Sequence, residues 1–375
     1  MACAGSPGST RICRSPLRMS VVVACGVRND SVSFHTRLRL SVPILMMSTR
    51  VMASHFRFLI LDLRLLAAIL LPLAGCAAKP PPANGPVRLS IEPWTGSNRI
   101  GQRIHTTHYT INTMVPDDEF NQRLANVMEG AWEQYRRMSG VTPPPGARAM
   151  DCYMFKTRTQ WAQFTRKYAG DDADIYLKIN RGGYTLADWF VAYYLGDQQT
   201  FSIAAHEGWH QYVARNFKGR LPPFLEEGIA CMFESVSTVD STPQWNWSSN
   251  PRRLSKLKQA VDRNGLWPLD QLMQMHAGLI VEERPERIEA FYAQNWAFAR
   301  FLWEGENGRF RPALQRILQN VASGQGRAGW QPEAVRPMIE NYLHAPLDEI
   351  ERRYLQFVHQ ITAAEVSSGA AISPN

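Results

Sequence analysis

The chain has 375 residues, 45% of them hydrophobic and 20% charged, with a formal net charge of +8. That length buries a sizeable core in one large domain or two packed lobes, and its six cysteines are too few for a dense disulfide framework. The basicity is local: residues 1–75 carry nine Arg, two Asp and no Lys, so the remaining 300 residues hold 32 basic and 31 acidic side chains and offer no electrostatic case for nucleic-acid binding.

Residues 1–51 show little periodicity. From Met52 a basic start (Met52-Ala-Ser-His-Phe-Arg57) leads into a short apolar stretch, interrupted by Asp62 and Arg64, that ends in Leu73-Ala74-Gly75-Cys76. This is the plan of a secretory signal over 52–75, too short and too interrupted for a membrane-spanning helix. Leu-Ala-Gly-Cys resembles the bacterial lipobox. The resemblance implies lipidation at Cys76 as the first mature residue, a membrane anchor, and a place in the bacterial cell envelope facing the periplasm or exterior. Met52 is then the natural start and 1–51 a non-native extension. An N-terminal anchor helix with an incidental cysteine is the alternative.

Residues 76–102, Pro-rich over Pro80–Pro82 and Asn84-Gly85-Pro86, read as a tether. Alternation through Ile104, Thr106, Tyr109 and Ile111 predicts a strand over 103–115. Asp117 or Asp118 caps a helix in which Phe120, Leu124, Val127, Met128, Ala131, Trp132 and Tyr135 recur at helical spacing. A loop follows at Thr142–Gly146, then a strand at Met150–Phe155, a helix at Gln160–Tyr168, a turn at Gly182-Gly183 and a third strand at Trp189–Leu195. Helices are predicted at Thr200–Asn216 and, after Leu221-Pro222-Pro223, at Phe224–Ser235. A polar loop, Thr238–Arg252, carries Trp245 and Trp247, expected to pack it onto the body. Helical patterns then cover 253–263, 268–276, 286–304, 309–320, 333–343 and 347–363, with a tail over 364–375. The sum is an α+β fold: a small mixed sheet with helices in an N-terminal lobe (103–240) and a mainly helical lobe (241–363). The helices of Thr200–Ser235 fall at the junction, where clefts form. Cys152 and Cys231 are expected as buried thiols rather than a bridge.

The chemistry concentrates in His206-Glu207-Gly208-Trp209-His210. On a helix the two histidines share a face one turn apart, a spacing at which two imidazoles hold one zinc ion, with the intervening Glu207 beside the ion's open position as general base. A hydrolytic zinc site takes three protein ligands and keeps one position open. Leu225-Glu226-Glu227-Gly228-Ile229-Ala230 on the next helix offers the third. Glu226 and Glu227 point about 100° apart, so only one is expected to ligate. His105, His108, His276, His344 and His359 lack partners at ligand spacing and read as structural or surface residues.

H-E-x-x-H followed by Pro and an aromatic-Leu-x-Glu-Gly-x-Ala stretch resembles the gluzincin metallopeptidases, which include thermolysin and the zinc aminopeptidases; the nearest likeness is to bacterial lipoproteins of that group, over roughly 103–304. The resemblance implies a gluzincin-like fold, one Zn2+, and Glu227 as the third ligand. Glu234 matches an acidic position common in the group, while Cys231 stands where thermolysin-like members carry an Asp that orients a zinc-binding His. Phe291-Tyr292-Ala293-Gln294-Asn295 resembles the Tyr-x-Lys-Gly helix of the aminopeptidases and implies Tyr292 as donor to the oxyanion. Gln294-Asn295 departs from Lys-Gly, and a Tyr that caps a buried network is the alternative. The aminopeptidases' Gly-x-Met-Glu-Asn loop is missing, with Gly182-Gly183-Tyr184-Thr185 in the comparable region. The expected activity is therefore a membrane-tethered zinc endopeptidase acting on peptides or proteins, with Trp189–Leu195 as the edge strand that pairs with substrate. The alternatives are a non-catalytic zinc-binding envelope lipoprotein and a zinc hydrolase of a non-protein cell-wall amide. Oligomeric state is not legible.

Overall fold

Strand structure begins well before the first alternating run. A computed structural model describes residues 87–369, apart from 97, 98, 145, 281, 282 and 328. The 1–51 extension, the 52–75 signal, Cys76 and the end of the tail lie outside the described residues. β1 (Ser90–Gly96) pairs antiparallel with β2 (Arg99–His105), and β2 with β3 (Tyr109–Thr113). The tether expected over 76–102 is therefore corrected: from Ser90 the chain is in the sheet. Pro93 obscures the pattern, but β1 is outermost, where a residue without a backbone donor is tolerated. The single strand expected over 103–115 is a hairpin. Its turn is held by Glu129, which accepts from the His108 backbone N–H at 2.7 Å and contacts His108 Nδ1 at 2.6 Å, while Trp132 stacks on the ring.

Helix α1 (Asp118–Ser139) is capped by Asp117, which accepts from the Phe120 backbone N–H. It leads to β4 (Met150–Phe155), parallel to β3. After α2 (Arg158–Tyr168) and α3 (Ala173–Leu177) come β5 (Gly183–Leu186) and β6 (Trp189–Tyr193). β6 runs parallel to β4, and the sheet order is β1-β2-β3-β4-β6-β5. Trp189–Leu195 is thus not the edge; β5 is. Phe190 and Ala192 enter the main core, and Val191 and Tyr193 a second core on the opposite face with Trp161 and Tyr184. A strand buried on both faces reads as an unbroken apolar run, the mark of an interior position.

Then follow α4 (Asp197–Asn216), α5 (Pro223–Phe233) and a hairpin, β7 (Val236–Val239) with β8 (Thr242–Trp245), which takes up the first part of the stretch expected as loop. The remainder is helical: α6 (Pro251–Asp262), α7 (Leu269–Leu272), α8 (Ala277–Ile280), α9 (Pro285–Gly308, irregular from Gly305), α10 (Arg311–Ser323), α11 (Pro332–Leu343) and α12 (Leu347–Gly369). The helix expected over 268–276 shrinks to α7. The architecture is α+β, with a six-stranded mixed sheet and a largely helical remainder.

The main core runs from Ile104 and Ile111 through Tyr135 and Trp209 to Trp296 and Tyr354, so one apolar interior serves both halves of the chain. All described residues belong to one compact unit. Close contact of α5 with α9 positions the site. At Gly228 a Cβ would stand 2.3 Å from the Asn295 carbonyl oxygen, so only glycine lets the two helices approach. Cys152 and Cys231 are both buried free thiols. No described helix is long and apolar enough to cross a membrane.

Candidate metal centre

α4 buries Ala204, Ala205, Trp209 and Tyr212 in the core and turns His206 and His210 toward α5. α5 starts with Pro223 in its first turn, a position where the missing backbone donor costs nothing. It brings Glu227 to the histidine pair. Glu227 Oε2 lies 3.4 Å from His206 Nε2 and 3.6 Å from His210 Nε2, and the two Nε2 atoms are 3.3 Å apart. Tetrahedral coordination with bonds of about 2.05 Å puts neighbouring ligand atoms about 3.3 Å apart. The three atoms therefore stand at the spacing of three corners of a zinc tetrahedron. Glu227 Oε2 is buried and makes no hydrogen bond, an acceptor that a cation would satisfy.

The other imidazole nitrogens are held as well. His210 Nδ1 is 2.9 Å from Glu226 Oε1, and His206 Nδ1 is 3.0 Å from Glu234 Oε1. Both adjacent acids of α5 are thus in use, Glu227 facing the two Nε2 atoms and Glu226 behind His210. Donation from each Nδ1 to a carboxylate fixes the ring with its Nε2 toward Glu227. Glu234 is itself clamped: Arg253 donates to its two oxygens at 2.6 and 2.8 Å, and Asn250 Nδ2 donates at 3.0 Å. Cys231 Sγ is 4.0 Å from His206 Nδ1. Glu234, at the end of α5, is thus the carboxylate that orients His206, with Cys231 only at the margin of contact. His206, Cys231 and Glu234 also converge, but there the buried Arg253 guanidinium already supplies the positive charge.

The electrostatics point the same way. Burial alone would push both imidazoles toward the neutral form. Cys231, Glu227 and Glu234 outweigh it at His206, which is held well above its ordinary range. Glu227 and Glu226 push His210 up to about 10. Burial would raise Glu227, yet the two imidazoles pull it down to about 2. The cluster is a strong sink for positive charge, and a bound cation would take the place of the imidazole protons.

Glu207 leaves α4 toward the edge strand. Thr185 of β5 donates its hydroxyl to Glu207 Oε2 at 3.1 Å and to the Glu207 carbonyl at 3.0 Å. Burial raises the Glu207 carboxyl above its ordinary range, more than the neighbouring imidazoles lower it. Tyr292 on α9 sits with its ring centroid 6.3 Å from that of His206, and the Arg253 guanidinium lies 5.0 Å from the Tyr292 centroid. Burial, then Glu227, hold the phenol well above its ordinary range, so it keeps its proton.

His206, Glu207, His210, Glu226, Glu227, Thr185 and Tyr292 all line one cavity of about 830 Å³, the size of a ligand site. The structure thus brings together every site residue expected from sequence except Cys76, which lies outside the described residues. Sequence reasoning missed Thr185, Asn250, Arg253 and the use of Glu226. A signal existed for Glu226 alone: each imidazole with one nitrogen toward a metal needs an acceptor at the other. No protein-family model matches the chain, and no curated protein matches it.

Proposed function

We propose that this chain is a zinc-dependent peptidase of the gluzincin type, cutting within polypeptides and tethered to the bacterial envelope by a lipid on Cys76. The observation that carries the reading is the triangle of His206 Nε2, His210 Nε2 and Glu227 Oε2, with sides of 3.3, 3.4 and 3.6 Å. Those three residues would hold the ion. When bound, zinc supplies Lewis acidity, lowering the pKa of a water to about 7 and polarising a carbonyl.

The protein's own groups do the rest. Glu207 accepts the proton of the attacking water at its carboxylate and later gives it to the leaving nitrogen; the Thr185 hydroxyl keeps that carboxylate aimed. A raised carboxyl suits both duties, because it holds and releases a proton closer to neutral pH. Tyr292, kept protonated, donates to the oxygen that gains charge. β5 pairs with no described strand along its outer side, so its backbone is open to an extended peptide, and its Thr185 faces the site. The absence of an amine-binding Gly-x-Met-Glu-Asn loop supports cleavage away from chain ends.

Two measurements test this reading. The purified protein should contain about one zinc per chain, and its hydrolysis of an unstructured protein should stop with a chelator and resume with added zinc. No zinc would remove the proposal, and zinc without turnover would favour a binding-only lipoprotein. Tyr292→Phe should lower kcat about a hundredfold with little change in KM, as expected of a donor used in the transition state. An unchanged kcat would return Tyr292 to a purely structural role.

A further inference from the structure

The cavity continues past the metal centre along α4, over Val213, Ala214 and Phe217, to a rim formed by Lys218, Arg220 and Arg327. This rim is built rather than incidental. The α4–α5 connection is stitched to the last turn of α10 and the connection after it by backbone hydrogen bonds: Lys218 N to Ala322 O at 3.1 Å, Gly219 N to Val321 O at 2.9 Å, and Arg220 N to Gly326 O at 3.1 Å. Trp330 Nε1 adds a donor to the Arg220 carbonyl at 2.6 Å. A Cβ at Gly219 would stand 1.8 Å from the Gln325 carbonyl oxygen, so the two loops meet in backbone contact. Three cations are thereby mounted on a fixed edge of the cavity. Among the described residues none of the three makes an ion pair, whereas Arg252, on the same cavity, is paired with Glu289 at 2.7 Å. Unpaired cations at the wall of a cleft raise the local concentration of anionic ligands.

We propose that this cavity selects acidic polypeptide segments, with a substrate carboxylate held by Lys218, Arg220 and Arg327. The inference rests on the peptidase reading and deepens it. The position follows from helix geometry. Asn216, where α4 ends, is six residues beyond His210, or about 9 Å at 1.5 Å per residue. The rim therefore lies about 10 Å from the metal ligands, and an extended chain covers that in about three residues. The preference should fall on the third residue from the scissile bond, on the side that passes over this rim.

The test uses matched fluorescent peptides carrying Glu, Gln or Lys at the third position on either side of a common centre. Binding is read by anisotropy and turnover by cleavage. The Glu peptide on one side should bind about tenfold more tightly than its Gln counterpart, with the Lys peptide weakest, and added salt should shrink the difference. Arg220→Gln and Arg327→Gln should each reduce that preference, and the double charge reversal Arg220→Glu/Arg327→Glu should invert it. Equal binding of all three peptides on both sides, or a preference that survives the reversal, would overturn the inference. Charge-selective binding without cleavage would sink the peptidase reading and leave the anionic subsite standing. Cleavage without charge preference would do the opposite.

Discussion

Glu207→Gln is expected to retain its zinc and to lose roughly three orders of magnitude in peptide hydrolysis, within the range of about 10² to 10⁴ that a positioned acid–base group contributes. The amide has nearly the shape of the carboxylate, and the Thr185 hydroxyl, 3.1 Å from Oε2, still has a carbonyl oxygen to donate to. The three ligand atoms, supplied by His206, His210 and Glu227, are untouched. What disappears is the ability to take a proton from water and return it to the leaving nitrogen. His210→Ala should behave oppositely: it deletes a ligand and leaves Glu226 without its partner, so the ion itself should be lost. Metal content and kcat measured on both variants separate the roles. Full activity in Glu207→Gln would end the assignment.

Arg253→Met is expected to destabilise the protein strongly and to weaken the metal centre from outside the ligand set. Arg253 is only 6% exposed and clamps both oxygens of Glu234. Its removal strands a buried carboxylate, a loss of about 3–5 kcal/mol in stability. Asn250 and His206 remain as partners, which places the expected value toward the lower end. Zinc affinity should fall about 10-fold or more, because Glu234, the acceptor that fixes the His206 ring, is no longer clamped by Arg253. A second variant separates the two effects. Glu234→Gln/Arg253→Met removes both charges and should recover much of the melting temperature while leaving zinc affinity low. If the single variant melts and binds zinc as the parent does, the clamp has no such role.

The residues legible in the sequence share a property. His206, Glu207 and His210 lie within one helical turn, and Asp117 caps its own helix. Glu227 and Tyr292 were reached through likeness to a known family rather than through periodicity. Their meeting depends on the contact of α5 with α9 at Gly228, which no local pattern announces. The run Trp-Phe-Val-Ala-Tyr in β6 marks in the sequence a strand covered on both faces. β1 was hidden by Pro93 and by an exposed outer position that leaves little apolar alternation.

The sequence by itself determined the motif helix, the spacing of its two imidazoles and the α+β character, because these follow from residues a few positions apart and the period of the backbone. Tertiary structure alone decided what surrounds that pair. Glu226 reaches His210 across 16 residues, Glu234 reaches His206 across 28, and Arg253 reaches Glu234 across 19. It also decided that β5 is the strand that lies beside Glu207, through Thr185. Such partners are chosen by which surfaces pack once the apolar faces are buried, and side-chain chemistry read along the chain does not record which distant elements will meet.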